Sequence, residues 1–164
     1  MRSKPRDTIS AAIRAAAAAG RPAVVGFMTG GFPDRASFGR NLAAIGGEAD
    51  VVEIGVPFSD PMADGMTIQR ASQVALRGGF TLSWLLDELR QMRPRPKAPL
   101  LLMSYLNPLL AYGLDRLPEA AVESGVAGFI IPDLPYEESA EMRAAFDRVG
   151  IALVQMVTPV TPPG

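Results

Sequence analysis

Short, nearly continuous apolar runs alternate with helical patterns along the 164-residue chain. Runs of this kind are typical of parallel strands that are covered on both faces. We predict five such strands, at residues 23–28, 51–56, 100–103, 128–131 and 151–157.

Apolar residues spaced three or four apart predict helices in the segments before and between these runs. The predicted helices span residues 7–19, 37–45, 67–77, 81–93, 115–124 and 137–149. Alternation of strands and helices implies either a doubly wound sheet or a (β/α)₈ barrel. No dinucleotide-binding or Walker glycine pattern follows the first strand, which disfavours the first alternative.

A complete barrel of this type needs about 250 residues. We therefore predict an incomplete α/β (β/α)₈ TIM barrel, one partial domain over residues 1–164, with strands 1 to 5 and an extra N-terminal helix.

Composition and charge narrow the chemistry. Lys and Arg number 16 and Asp and Glu 17, so no basic face is expected to attract nucleic acid. The chain has no Cys and no His, so no metal site is expected and acid–base chemistry must fall to Asp, Glu, Tyr or Lys. Arg14 interrupts the apolar stretch at residues 11–19, so we expect no signal peptide or membrane span and a cytoplasmic location.

Glu53 is the first candidate for catalysis. Side chains alternate along a strand, so Glu53 shares a face with Val51 and Gly55, opposite the apolar set Val52, Ile54 and Val56. The apolar set is expected beneath the outer helices, which directs Glu53 into the barrel. Desolvation there should raise its pKa toward the range useful for proton transfer. The alternative is a buried Glu that pairs with a structural cation.

The same alternation predicts the walls of a pocket for a flat, largely hydrophobic ligand. It groups Phe27 with Thr29, Met103 with Tyr105, and Phe129 with Ile131 and Asp133. Phe27 and Phe129 could equally belong to the barrel core. The loop at residues 57–65 contains two aspartates and is long enough to fold over the barrel, although Pro, Asp, Ser and Gly also dominate ordinary turns.

Four segments together resemble the signature of the tryptophan synthase alpha subunit family. They are residues 26–34, residues 52–65 with 67–69, residues 102–108 and residues 131–139. The resemblance covers essentially the whole chain. It implies a TIM barrel that cleaves indole-3-glycerol phosphate to indole and glyceraldehyde 3-phosphate, a step of L-tryptophan biosynthesis, without a metal or organic cofactor in this subunit.

The resemblance also implies roles for particular residues. Glu53 corresponds to the acid/base that moves a proton to the indole C3 position. Asp64 corresponds to the group that binds the indole N–H and stabilises positive charge on the ring. Phe27, Tyr105 and Phe129 correspond to the lining of the indole pocket.

A partner is implied in the same way. The family's alpha subunit binds a pyridoxal-phosphate-dependent beta subunit in an alpha2beta2 tetramer and passes indole to it. The corresponding contact residues are Pro57, Asp60, Asn107, Pro108, Asp133 and Pro135.

The sequence departs from the family pattern at two places and matches only part of its length. Met66 stands where the family commonly has Pro, which is expected to loosen the loop, and residues 46–49 are unusual. The family's phosphate-binding loops, its lid after the sixth strand and an active-site tyrosine are expected beyond Gly164. Two alternatives therefore stay open: a non-catalytic fragment that only binds a partner, and a stand-alone lyase that releases indole.

Overall fold

A computed structural model describes residues 4–157 and 159, and a five-stranded parallel sheet forms its centre. The strands pair in chain order, β1-β2-β3-β4-β5. They are β1 (Val25–Thr29), β2 (Val51–Gly55), β3 (Leu100–Met103), β4 (Val126–Ile130) and β5 (Ala152–Val154). This sequential parallel order is that of consecutive strands in a barrel wall.

Seven α-helices accompany the strands in the described part of the chain. They are α1 (Pro5–Ala18), α2 (Arg35–Glu48), α3 (Met66–Arg77), α4 (Leu82–Gln91), α5 (Leu106–Tyr112), α6 (Leu117–Ser124) and α7 (Ala140–Val149). A 3₁₀ turn at Tyr136–Glu138 precedes α7. Among these helices, none is long and apolar enough to cross a membrane.

The main hydrophobic core lies between the outer face of the sheet and the helices. Val52, Ile54 and Val56 are buried in it, as the alternation along β2 predicts. Phe38 and Leu42 of α2 are fully buried in the same core. The opposite face of the sheet is therefore the inner face of the barrel wall, and Glu53 lies on it.

Helix α1 covers the inner face at the N-terminal ends of the strands. Ile9 packs there in a second cluster with Val51, Leu101 and Ala127. The Arg6 N–H donates to the carbonyl oxygen of Gly150 at 3.0 Å, which joins the start of α1 to the loop before β5. Because α1 covers that end, the inner face is accessible at the C-terminal ends of the strands, which we call the mouth.

A charged contact secures the chain ahead of β1. The Asp50 carboxylate accepts hydrogen bonds from the Arg21 guanidinium at 2.6 and 2.7 Å and from the Val24 N–H at 2.8 Å. These interactions, with that to Arg21 the largest, lower the pKa of Asp50 to about 2. The contact lies at the N-terminal ends of β1 and β2, away from the mouth.

One of the unusual positions of the sequence has a packing explanation. A Cβ added to Gly46 would lie 2.9 Å from the Cβ of Pro96, so glycine allows α2 to approach the segment before β3. A Cβ on Gly47 would meet nothing within 4 Å, and nothing in the structure explains that glycine.

The predicted elements are present, with differences at their ends and one omission. Helix α5 was not predicted, because it is only seven residues long and contains Pro108 in its first turn. Proline is tolerated there since the first-turn N–H groups have no intrahelical acceptor. Strand β4 begins at Val126 rather than at residue 128, and β5 covers only Ala152–Val154. Residues 158–164, three of which are prolines, lie outside the described residues except for residue 159.

Candidate active site

Glu53 lies in the middle of β2 and is half-buried on the inner face of the sheet. It is in register with Phe27 of β1 and Leu101 of β3. One layer nearer the mouth, Gly55 is in register with Thr29 and Met103. The Glu53 carboxyl group therefore lies one layer below the mouth, between the Gly55 layer and the residues that α1 covers.

The surroundings of Glu53 favour its neutral form. Burial raises the pKa of its carboxyl group above the ordinary value. Within residues 4–157, no hydrogen bond or salt bridge from another side chain compensates for that burial. The structural alternative, a Glu paired with a cation, is therefore absent from the described part. A carboxyl group whose pKa is raised by burial is suited to both donating and accepting a proton.

Phe27 lies beside Glu53 because residue 55 is glycine. A Cβ on Gly55 would lie 2.6 Å from Cζ of Phe27, closer than atoms can approach. The missing side chain thus leaves room for the phenyl ring over β2. The ring forms part of an apolar wall next to the carboxyl group.

The loop at residues 56–65 joins β2 to α3 and carries Asp64. The Ala63 N–H donates to the Tyr105 hydroxyl oxygen at 2.8 Å, and the Gln69 side-chain amide donates to the Asp64 carbonyl oxygen at 2.9 Å. Phe58 packs against Tyr105 with 5.4 Å between ring centroids. These contacts hold the loop against the C-terminal end of β3, so Asp64 and Glu53 belong to the same end of the sheet.

Tyr105 is nearly fully buried, at 3% exposure, and lies under this loop. The next residue, Leu106, donates its N–H to the Asp133 carboxylate, with oxygens at 2.9 and 3.1 Å. Asp133 follows β4 and thereby satisfies a free N–H at the start of α5. The segments that follow β2, β3 and β4 are consequently joined at the mouth.

The prediction that Phe129 lines the pocket is wrong. Phe129 is fully buried on the outer face and stacks on Phe146 of α7, with 4.9 Å between ring centroids. Phe129 and Ile131 share a face as predicted, but it is the outer face, because the pairing of β3 with β4 shifts between Leu100 and Leu101.

Beyond this irregularity the inner-face residue is Ile130, and Ile131 packs in the outer core with Phe129. Ile130 is in register with Met103 and is only partly buried, so it contributes to the wall of the mouth. The sequence signal that could have revealed it is Gly128, because glycine within a strand often marks a bulge.

Comparison with known proteins identifies the family of this chain. The family model described as tryptophan synthase alpha chain matches residues 13–163. The chain belongs to the tryptophan synthase alpha chain family.

Individual relatives support the assignment. A tryptophan synthase alpha chain of Desulfovibrio desulfuricans is 52% identical over 150 residues, which are 91% of this chain and 59% of the relative. One of Solidesulfovibrio magneticus is 48% identical, over 93% of this chain and 60% of the relative. The chain therefore spans about 60% of the length of the curated relatives it matches.

Solved structures give the same result for the fold. A tryptophan synthase from M. tuberculosis, in an open form, superimposes with a TM-score of 0.87 at 30% identity, over 94% of this chain and 62% of that one. A tryptophan synthase a2b2 complex from Pyrococcus furiosus gives 0.79 at 35% identity, over 85% and 60%. The five parallel strands are thus part of the TIM barrel of the alpha chain.

The six residues that the family resemblance implicates in beta-subunit contact differ in accessibility. Asp60, Asn107 and Pro135 are exposed near the mouth. Pro57 is buried and, with the half-buried Pro108, lines a cavity of about 270 Å³ that α5 and the start of α4 also line. Asp133 is half-buried and engaged with α5. The first three are therefore the members of the set that a partner could reach without rearrangement.

No cluster of three or more Asp, Glu, His or Cys side chains that could hold a metal ion occurs within the described residues. The acidic side chains at the mouth are spread over separate segments, at residues 53, 64 and 133.

Proposed function

We propose that this alpha-chain segment, within a complete barrel, cleaves indole-3-glycerol phosphate to indole and glyceraldehyde 3-phosphate in L-tryptophan biosynthesis. The observation that carries the proposal is the Glu53 carboxyl group, which is half-buried on the inner face at the end of the sheet that carries the Asp64 loop. Burial raises its pKa, and it pairs with no cation among residues 4–157. A cytoplasmic location and a single partial-barrel domain over residues 1–164 are part of the same proposal.

The chemistry requires two acidic groups in different environments. Protonation of the indole C3 atom places positive charge on the ring, and loss of the proton from the adjacent glycerol hydroxyl then breaks the carbon–carbon bond. The products are an aldehyde and indole, with the bonding electrons returned to the ring. Glu53 is the proposed group that moves protons, because it is a half-buried carboxyl group on the inner face whose pKa burial raises.

Asp64 is the proposed partner of the indole nitrogen. A carboxylate at the N–H of the ring stabilises the positive charge that develops there. Phe27 and Ile130 provide apolar walls on the inner face. Tyr105, just after the end of β3, is the proposed wall on that side of the mouth, and its hydroxyl group also holds the loop.

The proposal includes a beta subunit as the partner, with pyridoxal phosphate in that partner and no organic cofactor in this chain. Its support is the family assignment and the exposure of Asp60, Asn107 and Pro135 at the same end as Glu53. A partner at this end would receive indole directly from the mouth.

Catalysis is best tested in a complete barrel. In what we name the barrel chimera, residues 1–157 are followed by the remaining strands of the Desulfovibrio desulfuricans relative, which is 52% identical over the shared region. The chimera should release indole and glyceraldehyde 3-phosphate in equal amounts. Asp64→Asn should lower kcat by roughly 100-fold or more, as loss of a transition-state charge partner does elsewhere. A folded chimera without product would refute the proposal.

A second candidate is a partner-binding chain without catalytic activity. It is favoured by the pairing of β1 with β2 alone within the described residues, and Val24 and Val25 at the start of β1 are about half exposed. Under this alternative, the 164-residue chain binds a purified beta subunit but neither it nor the barrel chimera forms product. A stand-alone lyase would instead release indole and show no binding to that subunit.

A further inference from the structure

Few hydrogen bonds tie the Asp64 loop to the rest of the protein. Among the described residues, two join residues 57–64 to other segments: Ala63 N–H to the Tyr105 hydroxyl, and the Gln69 amide to the Asp64 carbonyl oxygen. They hold the peptide group before Ala63 and the peptide group after Asp64, on either side of the Ala63–Asp64 pair. The backbone position of Asp64 therefore depends on two side chains that lie outside the loop.

The Tyr105 attachment point is itself firmly held. The Ser104 hydroxyl donates to the Tyr105 carbonyl oxygen at 2.8 Å, and the Ser104 N–H donates to Ile130 at 3.0 Å. Asp133 holds the next N–H, that of Leu106. The backbone around Tyr105 is thus fixed to β4 and to the loop after it, and the Tyr105 side chain is nearly fully buried.

The Gln69 attachment point lies on a regular element. Gln69 is in the first turn of α3, and its own N–H donates to the Gly65 carbonyl oxygen at 3.0 Å. The side chain then turns back to the residue before that glycine. The Tyr105 side chain thus holds the loop from the end of β3, and the Gln69 side chain holds it from the start of α3.

We propose that Tyr105 and Gln69 are positioning residues that clamp the backbone around Asp64 and aim its carboxylate at the ring nitrogen of the ligand. The inference rests on the proposed function for the role of Asp64, although the clamp itself is a property of the fold. The Tyr105 hydroxyl acts through Ala63 and Asp64, in addition to any contact its ring makes with a ligand.

The clamp is tested first in the 164-residue chain by NMR-detected hydrogen exchange of the Ala63 amide. Tyr105→Phe should accelerate exchange by roughly two- to tenfold, the factor that corresponds to one net hydrogen bond. Tyr112→Phe is the matched control and should leave that rate unchanged. Equal Ala63 rates in Tyr105→Phe and the unaltered chain would overturn the clamp.

Its role in aiming Asp64 is tested with two probes, indole and 1-methylindole, which lacks the N–H. The unaltered chain should bind indole more tightly, by roughly tenfold or more for a hydrogen bond to a charged group. Tyr105→Phe and Gln69→Met should move this ratio toward one, as Asp64→Asn should, whereas Tyr112→Phe and Gln91→Met should preserve it.

The outcomes separate the clamp from the proposed function. A preserved ratio in both Tyr105→Phe and Gln69→Met would overturn the positioning role. Equal affinities of the unaltered chain for indole and 1-methylindole would show that Asp64 does not accept the indole N–H, which would refute both this part of the proposed function and the aiming of Asp64. The exchange rate of the Ala63 amide would still show whether Tyr105 holds the backbone.

Discussion

The phenyl ring of Phe27 occupies the space that a side chain on Gly55 would fill, with Cζ 2.6 Å from the position of an added Cβ. Both residues lie on the inner face, and Phe27 is in register with Glu53. The apolar wall beside the proposed proton-transfer group thus depends on glycine at position 55.

Gly55→Ala should therefore displace the Phe27 ring. We expect a loss of stability of roughly 1–3 kcal/mol, the usual cost of forcing an extra carbon into packed surroundings. Urea unfolding of the barrel chimera measures it. Gly47→Ala is the control, because a Cβ there meets nothing within 4 Å. Equal effects of the two substitutions would contradict the close approach.

Glu53 should make stability depend on pH in a predictable direction. Burial raises its pKa above the ordinary 4.5, so the folded state holds the proton more tightly than the unfolded state. Stability should fall as the pH rises from 4.5 through the raised value. Glu53→Gln should remove that loss and be more stable than the parent at about pH 7, with a smaller difference at about pH 4.

The matched control for that comparison is Glu48→Gln, since Glu48 is exposed at the end of α2. Thermal unfolding of the barrel chimera at both pH values provides the comparison. If Glu53→Gln and Glu48→Gln behave alike at neutral pH, burial of Glu53 does not destabilise the fold.

Phe129 and Ile130 are neighbours in sequence but lie on opposite faces of β4. Phe129→Leu should cost roughly 1–3 kcal/mol of stability through lost packing on Phe146, with little change in KM. Ile130→Ala should raise KM for indole-3-glycerol phosphate, because its side chain is on the mouth wall. The reverse pattern of KM values would mean that the sheet register is wrong.

Met66 begins α3, a position at which proline is well suited to a helix. The preceding Gly65 has φ −72° and ψ 161°, which is compatible with a following proline. Met66→Pro should therefore stabilise the barrel chimera by about 0.4–1 kcal/mol, mainly by restricting the unfolded chain. Met66→Ala is the comparison in urea unfolding, and lower stability of the proline variant would show that the backbone there is not as described.

The sequence was sufficient to predict the elements whose patterns are long and regular. The inner position of Glu53 followed from Val52, Ile54 and Val56, because two-residue alternation is reliable within an uninterrupted strand. Phe129 was misplaced because the irregular pairing near Gly128 involves the neighbouring strand, which local alternation does not report. The bond from Ala63 to Tyr105 joins residues distant in sequence, so it required the fold.

The central claim is that the inner-face carboxyl group of Glu53 carries out proton transfer. Its most direct measurement is indole release by the barrel chimera with Glu53→Gln, beside Glu48→Gln, with folding checked by circular dichroism. We predict a fall in kcat of at least roughly 100-fold for Glu53→Gln, since an amide cannot exchange the proton, and parental activity for Glu48→Gln. Parental turnover by a folded Glu53→Gln variant would contradict the account.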